Sequence, residues 1–317
     1  MRILFVGCPS IAIPSLEFLI SKSNESGNFT LAGLLTNPDS PKGRSSKHEP
    51  TECAAALKKL NSDIKVFKFD KLDANAREQI AALKPDILVS FAYGKFFGPK
   101  FLALFPKGAI NIHPSLLPKY RGPTPIPAAI INKEAQTGIT FQLLADEMDC
   151  GDILLQEIIP LDGRETTASL SETISKKAAK MMPLVLDGII EGTIIPQPQN
   201  HKDATYCSLI SKEDGIINWS HSACEIDARI RAFNPWPLTW TFHGDLQLFI
   251  LKAQSLNNGE STFSPGMVLG KDKEKGILIQ TGSGILAVTE LQYKTKKALN
   301  WKDFLNGVPK IIGEKLG

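Results

Sequence analysis

The order of hydrophobic and polar residues changes near residue 200. Before that point, short apolar runs alternate with longer segments whose apolar residues recur at helical spacing. The runs predict strands over residues 2–6, 31–36, 64–69, 86–90, 109–113 and from residue 137, and the longer segments predict helices over residues 10–20, 53–60, 75–83, 128–132 and 166–192. This alternation is typical of an α/β fold, so we expect a Rossmann-like, mostly parallel sheet with helices on both faces.

The second pattern starts after a segment rich in prolines and polar residues, at 193–206, which we interpret as a linker. Beyond it, short β-rich segments are separated by Gly, Asn and Lys turns, and one helix is predicted over residues 226–233. This predicts a small OB-like β-barrel. The expected domains are therefore 1–192, a linker over 193–206, and a C-terminal β-barrel over 207–317.

Composition narrows the class of protein. The chain has 317 residues, enough for two domains, and its net charge of 36 − 33 = +3 neither requires nor excludes a nucleic-acid partner. Its five cysteines are scattered without a Cys-x-x-Cys pair, so no disulfide framework or zinc cluster is predicted. With no apolar run of membrane-spanning length and no signal peptide at the start, we expect a cytoplasmic protein without membrane contact.

Candidate chemistry is concentrated after the strand at 109–113. Asn111 and His113 alternate with Ile112, so their side chains point to one face of that strand, and Pro114 ends it. A single histidine at a strand end is more often structural than catalytic. Here, however, the strand that begins near residue 137 runs into an acidic loop containing Asp149. A carboxylate at that position is expected to reach His113. No Gly-x-Gly-x-x-Gly follows the first strand, so a dinucleotide cofactor is not supported.

Four motifs occur in a recognisable order. They are Asn111-x-His113-Pro114-Ser115-Leu116-Leu117-Pro118, Tyr120-Arg121-Gly122, Thr137-Gly138-Ile139-Thr140 and Met148-Asp149-x-Gly151-Asp152. Together they resemble the folate-dependent formyltransferases, and over residues 1 to about 310 the chain is similar to the branch of that family that acts on tRNA. The resemblance implies 10-formyltetrahydrofolate as co-substrate and initiator methionyl-tRNA as acceptor.

The resemblance also implies roles for individual residues. Asn111, His113 and Asp149 are the expected catalytic residues, and the residue types agree independently, because formyl transfer needs a hydrogen-bond donor for the carbonyl oxygen and an acceptor for the amine proton. The folate site is expected to include Tyr93 and the segment Ser115, Leu116, Leu117 and Pro118. No metal is expected, because the spacing of the acidic loop fits no calcium-binding loop.

Contacts with tRNA are expected from basic residues. Pro41, Gly43 and Arg44 match the inserted loop with which the tRNA branch enters the acceptor arm, and Lys47 follows them. Arg121 resembles a position near the acceptor, with a structural salt bridge as the alternative. The further predicted contacts are Lys296 and Lys297, unless they only increase solubility.

Three other enzymes share the Asn-His-Asp set. A glycinamide ribonucleotide formyltransferase would account only for the N-terminal part of the chain. An amino-sugar nucleotide formyltransferase has a related C-terminal extension, and a formyltetrahydrofolate hydrolase would replace the amine with water. A non-catalytic RNA-binding protein is the least favoured alternative, because it needs neither His113 nor Asp149. We expect a monomer.

Overall fold

The computed structural model describes residues 1–25, 28–41, 46–60, 63–256 and 263–317. These residues form two compact units. The first comprises residues 1–125, 136–160 and 171–207, and the second comprises residues 126–135, 161–170 and 208–317. The residues predicted as a linker, 193–206, therefore lie in the first unit. The domain boundaries at residues 192 and 207 stay a prediction.

The first unit is built on a seven-stranded sheet. Its strands are β1 (Arg2–Gly7), β2 (Thr30–Thr36), β5 (Val66–Lys68), β6 (Ile87–Phe91), β7 (Ala109–His113), β8 (Gln136–Leu143) and β9 (Ile153–Pro160). Strands β3 (Ser40–Pro41) and β4 (His48–Glu49) form a separate two-stranded sheet. The helices up to residue 191 are α1 (Ile13–Asn24), α2 (Glu52–Lys59), α3 (Ala74–Ala81), α4 (Pro99–Leu102), α5 (Pro125–Ile131) and α6 (Thr167–Glu191).

The order of the strands confirms the α/β prediction. The sheet runs β5-β2-β1-β6-β7-β8-β9, and its first five strands pair in parallel. Strands β8 and β9 are added antiparallel, so the carboxyl end of β8 lies beside Ile110, near the start of β7. Hydrophobic pattern alone does not predict β9, because Gln156 and Glu157 interrupt its apolar residues.

The strand order reverses between β1 and β6, where α/β folds commonly bind nucleotides. There the chain turns into a short 3-10 helix whose first backbone N–H, from Ser10, donates to the Glu52 carboxylate at 2.6 Å. A side-chain carboxylate of this chain thus lies at the helical N-terminus that receives a phosphate in dinucleotide-binding folds.

The second unit contains an antiparallel sheet, as expected for the C-terminal part. Its strands are β10 (Thr239–His243), β11 (Leu246–Leu256), β12 (Val268–Asp272), β13 (Gly276–Gln280), β14 (Ile285–Tyr293) and β15 (Leu299–Asn300), with helices α7 (Ala223–Ala232) and α8 (Trp301–Gly307). The order is β10-β11-β14-β13-β12, and β15 pairs with β14. Ile226 and Ile230 of α7 pack into a core with Leu248 and Ile250.

The last residues of the chain connect the two edges of this sheet. Val268 in β12 donates its backbone N–H to the Glu314 carbonyl at 2.9 Å, and Gly317 donates to the Phe242 carbonyl in β10 at 3.0 Å. Residues 313–317 therefore bridge the edge strands, which is the closure that the barrel prediction requires. No helix in the described part of the chain is both long enough and apolar enough to cross a membrane.

Candidate active site

Strand β7 supplies two of the predicted catalytic side chains. It lies between the parallel strand β6 and the antiparallel strand β8, and its residues Asn111 and His113 are two positions apart, so they share a face. The His113 side chain is buried, with a relative exposure of 3%, whereas Asn111 is partly exposed. The strand ends at His113, directly before Pro114, as expected because proline has no backbone N–H to donate.

The third predicted residue comes from the loop between β8 and β9. Asp149 Oδ1 lies 3.5 Å from His113 Nδ1 and 3.4 Å from Asn111 Nδ2. The structure therefore brings the three side chains together around one carboxylate oxygen. Asp149 has a φ of 55°, in the left-handed region that is unfavourable for residues other than glycine. That backbone strain must be compensated by contacts around the loop.

Two further groups hold the Asp149 carboxylate. The Gly122 backbone N–H donates to Oδ2 at 2.9 Å, and the Gln142 side chain donates to Oδ1 at 2.9 Å. Neither was predicted to belong to the site. A signal for Gln142 exists, since it is a polar residue in an otherwise apolar, buried strand and shares a face with Thr140. Gly122 belongs to the Tyr120-Arg121-Gly122 motif, but its residue type does not predict this bond, because the donor is its backbone N–H.

Hydrogen bonding fixes the tautomer of His113. Its Nε2 lies 2.8 Å from the Tyr120 carbonyl oxygen, which can only accept, so Nε2 carries the proton. Burial lowers the pKa of His113, and this effect outweighs the nearby Asp149 and the bond to Tyr120, which both raise it. The imidazole is therefore neutral near pH 7, with the lone pair of Nδ1 directed at the Asp149 side of the site.

The segment after Pro114 is fixed by internal hydrogen bonds. Ser115 Oγ donates to the Lys119 carbonyl at 2.7 Å, and Thr140 Oγ1 donates to the Ser115 carbonyl at 2.7 Å. Leu117 is buried, while Leu116 covers β8 so closely that a Cβ on Gly138 would lie 2.3 Å from its Cδ2. Such a segment forms a rigid wall. Its contact with folate, including Pro118, stays a prediction.

Tyr93 follows β6, at the edge of the sheet where the parallel strands end. Its ring stacks on Phe97 with 5.4 Å between centroids and is 3% exposed, and burial raises the pKa of Tyr93 to about 12. Within the described residues its hydroxyl has no hydrogen-bond partner, and the same is true of Asn37 Oδ1. The two residues are neighbours, because Asn37 Nδ2 donates to the Tyr93 carbonyl at 3.3 Å.

The residues predicted to contact tRNA have different surroundings. Arg44 lies outside the described residues. Lys47 is exposed in the first unit, and Lys296 and Lys297 are exposed between β14 and β15 in the second unit. Arg121, in contrast, has a relative exposure of 1%, and among the described residues it is the largest fully buried side chain.

Arg121 is bound from within the first unit. Its Nε and Nη2 donate to Gln199 Oε1 at 3.1 and 2.7 Å, and Nη1 donates to the Tyr206 hydroxyl at 3.2 Å. Both partners come from the segment predicted as a linker, whose polar composition gave no sign of a buried contact. The predicted tRNA contact of Arg121 stays a prediction, but its guanidinium is interior, and within the described chain it forms no ion pair with a carboxylate.

Metal-binding residue types do not cluster in the described ranges. Among those residues, no three His, Cys, Asp or Glu side chains are arranged to hold a metal ion. What the site offers is an amide donor, a neutral imidazole and a firmly held carboxylate, a set suited to proton transfer and to stabilising a developing negative charge on a carbonyl oxygen.

Comparison with known proteins gives consistent results along the whole chain. A family model described as formyl transferase matches residues 1–186, and one described as formyl transferase, C-terminal domain, matches residues 209–309. A Treponema denticola protein named methionyl-tRNA formyltransferase is 46% identical over 322 residues, covering 98% of each chain. Its namesake in Treponema pallidum (strain Nichols) is 42% identical over 327 residues, covering 100% of this chain and 99% of that protein.

Among solved structures, the chain is similar to HypX from Aquifex aeolicus in complex with tetrahydrofolic acid. The TM-score is 0.63 at 17% identity, with 99% of this chain covered. The chain spans about half the length of HypX, 48% of that chain. At this level of identity the similarity concerns the fold.

Proposed function

Because the chain belongs to the formyl transferase family, we propose that it transfers a formyl group from 10-formyltetrahydrofolate to the α-amino group of methionine on initiator methionyl-tRNA. The observation that carries this proposal is the match to relatives named methionyl-tRNA formyltransferase over the whole chain, both family domains included. An enzyme with this function in translation works in the cytoplasm, where we place the protein, and we propose that it acts as a monomer.

Asn111 is the proposed donor to the carbonyl oxygen of the formyl group. Its Nδ2 carries two N–H groups, and one of them makes a long hydrogen bond, 3.4 Å, to Asp149 Oδ1. The other is the N–H that we assign to the formyl oxygen. The side chain lies on a strand, so its position is fixed before substrate arrives. A donor held in this way stabilises the oxygen as it becomes negatively charged during attack by the amine.

His113 is the proposed acceptor of the amine proton. It is neutral, and its Nε2–H is bound to the Tyr120 carbonyl, so the lone pair available for a proton is on Nδ1. Asp149, 3.5 Å from that nitrogen, stabilises the imidazolium that forms. His113 then returns the proton to the folate nitrogen that leaves, so the residue ends neutral as it began.

The residues near β6 fit the polar ring system of a folate. In the described chain, the Tyr93 hydroxyl and Asn37 Oδ1 are buried polar atoms without partners, a donor and an acceptor at the carboxyl edge of the sheet. A fused heterocycle with N–H and carbonyl groups would satisfy both. The folate supplies the formyl carbon, and we propose that Ser115, Leu116, Leu117 and Pro118 form the adjoining wall.

For tRNA, we propose that basic side chains bind phosphates. Arg44 and Lys47 are assigned to the acceptor arm on the sequence pattern, and Lys296 and Lys297 are assigned to the backbone on their exposure between β14 and β15. Such contacts add affinity without reading bases.

The test is formyl transfer from 10-formyltetrahydrofolate, with initiator methionyl-tRNA, glycinamide ribonucleotide, an amino-sugar nucleotide and water alone as acceptors. We expect transfer to the charged tRNA only. Transfer to another acceptor, or hydrolysis without an acceptor, would overturn the proposed substrate while leaving the proposed catalytic residues in place.

A further inference from the structure

Arg121 is a buried cation with neutral partners. Besides Gln199 and Tyr206, its guanidinium contacts His201 Nδ1 at 3.3 and 3.4 Å. Burying a charge without a counter-charge costs several kcal/mol, and an apolar side chain of similar length would fill the same space without that cost. The arrangement is therefore poorly explained by stability alone.

Arg121 determines which way the Gln199 amide points. Two guanidinium N–H groups converge on Gln199 Oε1, so Nε2 must face the opposite direction. From there Nε2 donates to the backbone carbonyls of Asp149 and Gly151, at 2.9 and 2.7 Å. These carbonyls belong to Asp149 itself and to a residue two positions beyond it, so Gln199 holds the backbone at its left-handed residue.

Gln199 also contacts the residue that holds the Asp149 carboxylate. Its Nε2, whose two N–H groups serve the carbonyls of Asp149 and Gly151, also lies 3.3 Å from Gln142 Oε1, and Gln142 Nε2 in turn donates to Asp149 Oδ1 at 2.9 Å. Gln199 therefore bonds the backbone at Asp149 directly and is in contact with the side chain that holds the Asp149 carboxylate.

The Arg121 backbone completes the arrangement. Arg121 N–H donates to the Thr205 carbonyl and Cys207 N–H donates to the Arg121 carbonyl, each at 2.8 Å. The next residue, Gly122, donates to Asp149 Oδ2, and a Cβ there would lie 2.2 Å from the Cys207 carbonyl oxygen. The segment that carries Gln199 is therefore bonded to the backbone of Arg121, which directly precedes the residue that donates to the Asp149 carboxylate.

We propose that Gln199, oriented by the buried Arg121, is a positioning residue that holds Asp149 in its strained backbone conformation and so keeps the carboxylate beside His113. This inference rests on the proposed function, because it concerns the same catalytic carboxylate. It also assigns Arg121 to the support of the site and the segment around residues 199–207 to the catalytic apparatus.

The test compares three variants with the wild-type enzyme in formyl transfer to methionyl-tRNA. Gln199→Leu removes both bonds to the Asp149 loop, and we expect kcat to fall about 10- to 100-fold with KM for 10-formyltetrahydrofolate nearly unchanged. Gln197→Leu is the matched control, because that glutamine lies in the same segment with an exposed side chain, and we expect wild-type values.

The third variant separates positioning from stability. Gln199→Leu leaves the buried Arg121 guanidinium without its amide acceptor, so we expect Tm to fall. Arg121→Met/Gln199→Leu replaces the polar pair by apolar side chains, so we expect Tm to return to within about 3 °C of wild type while kcat stays low. Recovery of kcat together with Tm in this double variant, or wild-type kcat in Gln199→Leu, would overturn the proposal. If the wild-type enzyme itself transfers no formyl group to tRNA, the proposed function fails first, which is a different result.

Discussion

The surroundings of Asp149 and the turn that carries Lys296 and Lys297 are two regions proposed to meet substrate, and they are built differently. Asp149 is held by backbone and side-chain donors in a largely buried setting. The two lysines are exposed to solvent. Proton transfer depends on distances within a few tenths of an ångström, whereas attraction of a polyanion depends mainly on charge that can move toward it. Substitutions in the two regions should therefore have effects of different size and kind.

The largest effect is expected at His113. Replacing it by alanine removes the proposed proton acceptor, so turnover should fall about 100-fold or more. Single-turnover formyl transfer with saturating methionyl-tRNA measures the chemical step directly, and circular dichroism checks that the fold is retained. A folded His113→Ala enzyme with near-normal turnover would remove the residue from the mechanism.

Asn111→Ala is expected to reduce turnover by about 100-fold, because one donor to the developing oxyanion is removed. The reduction should be in kcat, since the interaction strengthens only as negative charge develops. Asn111→Asp provides the control, being similar in size but unable to donate when ionised, and it should be at least as slow. Equal turnover of Asn111→Ala and wild type would contradict the assignment.

A smaller effect is expected from Lys296→Ala/Lys297→Ala. Turnover at saturating tRNA should be unchanged, while KM for tRNA rises a few-fold. The slope of log KM against log salt concentration should become shallower by about 0.7 to 0.9 for each phosphate that is no longer neutralised. Lys273→Ala, on another exposed turn of the second unit, is the matched control. If the two variants have the same salt slope, Lys296 and Lys297 only add surface charge.

The smallest expected effect concerns the pKa of His113 and the dependence of stability on pH. Burial lowers the pKa of His113 below its usual value near 6.5, and Asp149 opposes this. His113 therefore binds a proton less readily in the folded protein than in the unfolded protein. Its contribution to the free energy of unfolding is complete above about pH 6.5 and is lost as the pH falls through the pKa of the folded state. In Asp149→Asn the opposing charge is absent, so NMR titration of the His113 ring protons should give a still lower pKa. An unchanged or higher value would mean that Asp149 does not act on the imidazole.

The two regions also differ in how far the sequence could predict them. The placement of Asn111 and His113 on one face follows from the two-residue period of a strand, and an acidic loop at the end of the next strand was enough to bring in Asp149. Exposure of Lys296 and Lys297 follows from their position in a polar turn. The mostly parallel sheet follows from the alternation of strand and helix patterns, and the antiparallel C-terminal sheet follows from short β-rich segments separated by turns; the order of the strands was not predicted.

The support of Asp149 was not predictable in this way. Gln199 looks like any polar residue of a proline-rich connecting segment, and Arg121 looks like a surface cation beside a glycine. Only the folded chain shows that Gln199 accepts hydrogen bonds from Arg121 in the interior.

From the sequence by itself, the periodicity of the hydrophobic segments predicted the fold class, and the resemblance of four motifs indicated the family and the three side chains Asn111, His113 and Asp149. The tertiary structure decided how Asp149 is held, where Arg121 lies, and that residues 199–207 belong to the first unit. Those features depend on backbone carbonyls and on partners almost 80 residues apart. Because every residue has a backbone carbonyl, a hydrogen bond to that group does not require any particular residue type and leaves no pattern in the sequence.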